Sequence, residues 1–282
     1  MDDTGTAANR AADDGGARGA SDTHDPAALT RTSAFLLRQP LAPGVLATVR
    51  ERLDGMVGDD ADPGWLLPGP GVVTASLFCR EGGPAGDGTG GELVWYVEVE
   101  DEASWTDPAA LARRSPLFDP PGRLLAAPAS HYGRDERVVH ALNPARPPRP
   151  ESPDVVLVRV GIAPGLGTWL ARLLAGAIGL FRGTAVERRL VAASGEVLDE
   201  EAMWTETLFL DRAAEGYGLL WYMEAADMDR VIDAYEASDN PVARWSERVL
   251  GWLFEDPSAL LDDPRAATEH ELLAHVTAPE RR

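Results

Sequence analysis

Side chains suited to proton transfer recur twice in this chain with matching neighbours. Leu93-Val94-Trp95-Tyr96-Val97-Glu98 is echoed by Leu219-Leu220-Trp221-Tyr222-Met223-Glu224. Read as strands, these segments place Tyr96 with Glu98 on one face, and Tyr222 with Glu224. Ahead of them, Thr74-Ala75-Ser76-Leu77-Phe78 is echoed by Thr205-Glu206-Thr207-Leu208-Phe209. Alternation there groups Thr74, Ser76 and Phe78 on one face, and Thr205, Thr207 and Phe209. A glutamate held beside Tyr and Trp would be desolvated, its pKa raised, and able to act as a general base. The other reading puts each glutamate at a strand end, exposed or paired with an arginine. Trp95, Trp221, Tyr96 and Tyr222 are either core filling or stacking surfaces for a ligand.

Two histidines complete the set. His140 and His275 each follow a glutamate by four residues (Glu136 and Glu271) on short apolar runs near the ends of the two matching halves. A His–Glu pair is an acid–base unit, and histidine can ligate haem iron; the alternative is a satisfied core histidine. The histidines and glutamates have no compact metal-ligand spacing, so no metal site is expected, and no cofactor beyond the haem that such histidines leave open. Arg38 and Arg159 end the first strand of each half. They could hold a carboxylate ligand in two-point fashion or pair with Glu98 or another carboxylate. The catalytic candidates are therefore Glu224, Tyr222 and His275. The ligand-binding candidates are Arg159, Trp221, Thr205, Thr207, Tyr96, Glu98, Arg38 and His140. His131 and His24, in loop and tail, have no assigned role.

The single cysteine, Cys79, lies in an apolar run and reads as a buried, inert thiol. One thiol excludes an intramolecular disulfide. Gly161-Ile162-Ala163-Pro164-Gly165-Leu166-Gly167 superficially resembles a phosphate loop, but it lacks the Lys-Ser/Thr that such a loop requires. It reads as the turn that starts a helix.

Composition limits the partners. The 282 residues carry 46 Asp+Glu against 26 Lys+Arg, a formal net charge of −20, and every basic side chain is arginine. A phosphate-binding basic face is missing, which argues against nucleic acid, and an anionic membrane would repel the chain. Acid-rich, lysine-free surfaces suit a cytosol of high ionic strength, where salt screens self-repulsion; a GC-rich genome exchanging Lys for Arg is the other source of this bias. The longest apolar stretch, Leu166 to Phe181, is short for a membrane span and contains Arg172. It reads as a buried or strongly amphipathic helix, and the protein as cytoplasmic.

The elements that must position these residues also repeat. Leu37-Arg38-Gln39-Pro40-Leu41-Ala42-Pro43-Gly44 and Val158-Arg159-Val160-Gly161-Ile162-Ala163-Pro164-Gly165 share one pattern: apolar-Arg-x-x-apolar-Ala-Pro-Gly. Each predicts a strand, a Pro-Gly turn and a helix. With the following strands, each half reads β-α-β-β-α-β, the ferredoxin-like order. The division is a disordered acidic tail over 1–30, a first repeat over 31–142, a proline-rich linker over 143–153, and a second repeat over 154–282. Residues 183–198 are expected to form a β-hairpin around Ser194-Gly195 or to extend a strand. A four-stranded sheet with helices on one face leaves the other bare, and the Trp-Tyr strands are apolar on both faces. The fold class is therefore α+β: tandem ferredoxin-like repeats closing on each other as an intramolecular dimeric α/β-barrel, in a monomer or a homodimer.

From Trp204 through Trp221-Tyr222-Met223-Glu224, the acidic-start helix after it and Ser238-Asp239-Asn240-Pro241, the chain resembles a haloarchaeal family, domain of unknown function 6176. The resemblance covers the C-terminal third. The first repeat departs from it, with a short, proline-broken helical stretch after Glu98, and is expected to be a lid or to have lost function. The resemblance implies the dimeric α/β-barrel superfamily, which includes cofactor-free and haem-degrading monooxygenases as well as binding and regulatory modules. Two functions follow as expectations. One is a small-molecule barrel, monooxygenase-like and metal-free, acting on an aromatic or quinone-like substrate. The other is a non-catalytic ligand-sensing or protein-interaction module with a packed lumen.

Overall fold

A computed structural model describes residues 32–56, 63–67, 69, 71–81, 90–100, 130–132, 136–143, 150, 152–181, 184–213, 216–237, 241–255 and 264–278. The first half contributes strands β1 (Ser33–Pro40), β2 (Val72–Glu81), β3 (Gly91–Val99), β4 (Ser130–Tyr132) and β5 (Arg137–Leu142), and helix α1 (Val45–Asp54). The second contributes β6 (Asp154–Gly161), β7 (Met203–Ala213), β8 (Gly216–Ala225) and β9 (Glu271–Thr277). Its helices are α2 (Leu166–Phe181), α3 (Ala185–Glu200), α4 (Met228–Ala237), α5 (Pro241–Leu253) and α6 (Pro264–Ala267). The expected tail, most of the linker and the proline-broken stretch after Glu98 lie outside the described residues.

The strands form two antiparallel sheets, β4-β1-β3-β2-β9 and β5-β7-β8-β6. Their central registers match. Leu36 faces Tyr96 and Thr74 faces Glu98 in the first sheet; Leu157 faces Tyr222 and Thr205 faces Glu224 in the second. Helix α1 packs through Leu46, Val49 and Leu53 on the outer face of the first sheet, with Trp95 and Val97. Helices α2 to α5 cover the outer face of the second, around Trp221 and Met223. Between the sheets lies a third layer: Leu36, Phe78, Val94 and Tyr96 from one side, Leu157, Phe209, Leu220 and Tyr222 from the other. The bare faces thus cover each other, as the two-sided apolar strands demand.

Two expectations are corrected here. Among the described residues the sheets stay separate and open; they stack face to face and do not join into a closed barrel. Nor does each half complete its own sheet. Strand β5 of the first half pairs with β7, and β9 of the second pairs with β2. The physical reason is edge pairing. The outer edges of β2 and β7 present unpaired backbone groups, and a strand arriving from the opposite sheet satisfies them. The exchange also ties the two layers together covalently, as a domain swap would between chains. The other edge of β6 is met by the segment around α6, where the Thr268 hydroxyl donates to the Leu157 carbonyl and Arg265 pairs with Asp154.

Both exchanged strands contain a register shift, at Arg137/Val139 and at Leu77/Phe78. A bulge of this kind turns a strand's side chains over. It puts Glu271 beside Cys79 on the helix side of the sheet, with Arg50, while His275 faces the inter-sheet layer beside Ser76. The acid–base pair expected of His275 with Glu271 is overturned for that reason: the two side chains lie on opposite faces of the sheet. Cys79 itself is buried, and burial followed by the Glu271 carboxylate pushes its thiol up to about 11, in keeping with an inert role.

The Ala-Pro-Gly turns are present in both halves. Gly44 and Gly165 adopt φ of 80° and 75° with open space around them, so it is backbone conformation, not crowding, that requires glycine. Residues 183–198, expected to form a hairpin or strand, instead lie mostly in α3. Alanine, leucine, glutamate and arginine dominate that helix, all good helix formers, so local propensity outweighs the single Ser-Gly pair. Helix α3 is followed by Ala202 at φ 54°, a left-handed position occupied by a residue other than glycine. We expect Ala202→Gly to stabilise the protein by about 0.5–1 kcal/mol in urea denaturation at high salt.

Beside that turn, Glu201 is buried. Burial, then the Glu206 and Glu200 carboxylates, pushes it from the ordinary 4.5 up to about 8. A carboxyl raised on folding binds its proton more tightly in the folded chain, so stability falls with rising pH. This contribution is complete below the unfolded value near 4.5 and is lost as pH climbs through about 8. Melting temperatures of the parent and Glu201→Gln should therefore diverge across that window, with the variant falling less. Parallel curves would contradict the assignment.

Candidate functional site

The polar residues of the inter-sheet layer form two related clusters around one aromatic pair. Tyr96 and Tyr222 stack with centroids 3.6 Å apart and planes 8° from parallel, and Phe78 meets Tyr222 edge-on at 6.2 Å. Both tyrosines are fully buried. Burial raises each phenol well above its ordinary value of 10, and the nearby Glu98 and Glu224 carboxylates add to the shift. Both phenols are therefore neutral and available as hydrogen-bond donors.

Each hydroxyl crosses to the other sheet. Tyr222 lies 3.0 Å from Ser76 Oγ, which lies 2.8 Å from His275 Nδ1. The far nitrogen of His275 is 3.5 Å from Glu224 Oε1 and 3.3 Å from Thr277 Oγ1. In one tautomer O–H of Tyr222 donates to Ser76, O–H of Ser76 to Nδ1, and Nε2–H points to Glu224; in the other Nδ1–H donates to Ser76 and Nε2 is an acceptor beside Glu224, so the four groups form a relay that ends at the carboxylate. The second cluster follows the same plan: Tyr96 lies 3.0 Å from Thr207 Oγ1, which lies 2.8 Å from His140 Nδ1, with His140 Nε2 3.2 Å from Thr32 Oγ1. Ser76, Thr207, Glu98 and Glu224 are all fully buried, whereas His275 keeps 11% of its side chain exposed on the edge strand β9.

The opposite end of the layer is ionic. Arg38 forms a two-point pair with Glu92 and reaches Asp211 at 2.8 Å and the Tyr132 hydroxyl at 3.0 Å. Arg159 and the Tyr132 O–H also donate to Asp211, each at 2.8 Å. Burial opposes charge on Asp211, but Arg38, Arg159 and Tyr132 outweigh it and hold the carboxyl below its ordinary value. Burial likewise opposes the charge of Arg38, and Glu92 and Asp211 outweigh it. Burial, then Asp211, pushes Tyr132 up to about 12.

The structure thus brings together most of the sequence-derived candidates. Glu224, Tyr222, His275, Tyr96, Glu98, Thr207 and His140 share the layer, and Thr205 stands opposite Glu224 in the register. Arg38 and Arg159 lie at its other end, engaged by Glu92 and Asp211 and not by Glu98. Trp221 is corrected: it belongs to the core under the helices, because it alternates with Tyr222 along β8. His131, placed by sequence in a loop, is on β4. Ser76 was grouped correctly by face but not singled out, and Asp211 was missed altogether. The same alternation could have found it, since Thr205, Thr207, Phe209 and Asp211 run along one face of β7. Tyr132 and Thr32 carried no comparable signal.

Among the described residues no group of three or more His, Cys, Asp or Glu could hold a metal ion, and no helix is long and apolar enough to cross a membrane. No protein-family profile matches the chain, and no curated protein matches it. Solved structures do. One is a protein from Fusobacterium nucleatum subsp. nucleatum, provisionally assigned as a monooxygenase: 7% identity, TM-score 0.42, covering 87% of this chain and 94% of that one. A second, also provisionally a monooxygenase, is from Lactobacillus acidophilus: 8% identity, TM-score 0.41, covering 87% and 96%. An anthrone oxidase-like protein matches at 13% identity and TM-score 0.32, covering 89% and 94%. Likeness at these scores carries no argument about activity.

The ionic end is open to test. Asp211 is shared by two arginines from different sheets, Arg38 and Arg159, so neutralising it leaves like charges facing each other inside the protein. We expect Asp211→Asn to cost about 3 kcal/mol of stability, read from denaturant midpoints. A loss under 1 kcal/mol would mean that Glu92 alone balances the cluster.

Proposed function

We propose that this chain binds a small organic molecule against the inter-sheet layer and takes a proton from it on His275, which Ser76 and Tyr222 orient and Glu224 backs. The supporting observation is the relay itself, built from β2, β8 and β9 and repeated in type at Tyr96, Thr207 and His140. Buried groups with strongly shifted proton affinity, as at Tyr222, cluster at working sites. The matched registers of the two sheets favour an origin by duplication of one β-α-β-β unit with its final strand.

In this reading His275 meets the ligand, because it is the member of the relay that retains exposure. For this step the ring is the Nδ1–H tautomer donating to Ser76, so Nε2 accepts the proton from an acidic C–H or O–H, and the buried Glu224 carboxylate 3.5 Å away stabilises the imidazolium that results. Tyr222 and Ser76 hold the ring in one orientation. An aromatic or quinone-like ligand suits a wall made of Tyr and Phe rings. A metal-free, monooxygenase-like reaction would start from this deprotonation of a substrate CH2, with dioxygen as oxidant: one oxygen atom becomes the product's carbonyl, and the other leaves as water with the two hydrogens and two electrons that the substrate gives up.

A second reading has its own observation. The Tyr96–Tyr222 stack belongs to one buried cluster with Phe78 and Phe209, both at zero exposure. A layer packed in this way serves equally as the polar core of a non-catalytic sensing or interaction module.

Binding separates the two. Purified protein at high salt would be examined by native mass spectrometry for a co-purified organic ligand, then titrated with 1,4-naphthohydroquinone as probe. The first reading expects binding that weakens about tenfold or more in Glu224→Gln, with an unchanged circular-dichroism spectrum. No bound ligand and no probe binding would leave the packed-core reading standing.

A further inference from the structure

Helix α2 presents apolar residues on both sides, and among the described residues one side packs on the core while the other is exposed. Its inner face, with Ala171, Leu170, Leu174 and Ala175, packs on the core of the second sheet. The opposite face carries Leu166 at 71% exposure, Trp169 at 59%, Leu173 at 50% and Leu180 at 82%. Their spacing of three, four and seven residues keeps all four within a narrow stripe. Gly176 falls in the same stripe, with nothing within 4 Å of where a side chain would stand. Trp252, 68% exposed, stands at the end of α5 beside the first turn of α2, where Ala163 N–H bonds to the Leu253 carbonyl.

We infer that this stripe is the contact between two copies of the chain, formed by α2 packing antiparallel on α2 of its partner across a twofold axis. Three observations select a second copy. The first is area: these side chains expose on the order of 700 Å², near the roughly 800 Å² that each partner contributes to a standard interface and above the largest patch typical of a monomer. The second is charge. The chain carries a net charge of −20, yet α2 contains no acidic residue, and its one charged side chain, Arg172, lies over the Tyr217 ring at 4.6 Å. This is a face on which two acid-rich copies meet with little direct repulsion.

The third is self-complementarity. An antiparallel pairing centred between Leu173 and Gly176 drops each Leu173 into the gap over the other copy's Gly176 and sets Trp169 against Leu180. A twofold contact requires one patch to fit itself in this way, and a small residue opposite a large one allows helices to approach closely. A lipid surface would use the apolar stripe but has no need of the gap, and the protein's acidity disfavours it.

The gap makes the test specific. Sedimentation of the full chain at high salt should give twice the 30.2 kDa chain mass. Lower salt should weaken the dimer, since the remaining surface repels. Trp169→Ala should raise the dissociation constant about thirtyfold. Gly176→Leu is the decisive variant. It adds apolar surface and helix propensity to an exposed position, so it leaves the fold intact. A merely sticky patch would associate more strongly, whereas the paired geometry expects the monomer. A chain that is monomeric at about 100 μM, a dimer strengthened by Gly176→Leu, or binding to zwitterionic phosphatidylcholine vesicles that Trp169→Ala abolishes would overturn the inference.

Discussion

Everything in this structure depends on two sheets covering each other's bare faces. Each sheet has helices on one side. The other side is lined by Leu36, Val94 and Tyr96, or by Leu157, Leu220 and Tyr222, and must leave water. Burying an aliphatic or aromatic side chain of this size stabilises the fold by about 1.5–3 kcal/mol. The same contact makes any polar group on those faces costly unless it is paired. Tyr96 and Tyr222 resolve this by reaching across, so their hydroxyls are satisfied by the opposite sheet and stitch the layers in register. Hydrophobic association thus brings the sheets together, and directional hydrogen bonds select one way of stacking them.

Strand exchange extends the same logic to the edges. Strand β9 closes the edge of β2 and delivers His275 to Ser76, while β5 closes the edge of β7 and delivers His140 to Thr207. Neither cluster could form within one half of the chain. The candidate site is therefore a product of the assembled layers, and loosening the inter-sheet contact would disassemble the relay together with the fold. At the far end, Asp211 fastens arginines of both sheets, so the layer is held by hydrogen bonds at one end and by charge at the other.

The two faces of the second half contrast usefully. Between the sheets, polar groups are arranged in pairs and chains. On the outer face of α2, apolar side chains are half or more exposed. The first arrangement suits chemistry or specific packing, and the second suits association. In a chain this acidic, a helix nearly free of charge is the surface on which association would meet the least repulsion.

Much of this was legible in the residues. Strand periodicity alone grouped Tyr96 with Glu98, Thr74 with Ser76, Tyr222 with Glu224 and Thr205 with Thr207, each on one face of its own strand, because alternation is a local property of extended backbone. The Ala-Pro-Gly turns were likewise local, and glycine's tolerance of positive φ explains them. Other features were not local. The partner of His275 proved to be Glu224 and not Glu271, since a bulge in β9 turns Glu271 to the other face. The exchange of β5 and β9 left no trace in the sequence, because either edge offers the same backbone groups and only the spatial path of the chain chooses between them. Nor could composition show that α2 keeps an uncovered apolar stripe, for a helix apolar on both sides reads as buried until its neighbours are in place. The sequence by itself determined which side chains share a face and where the chain turns. The tertiary structure decided which faces and edges meet, because that depends on contacts between segments far apart in the chain.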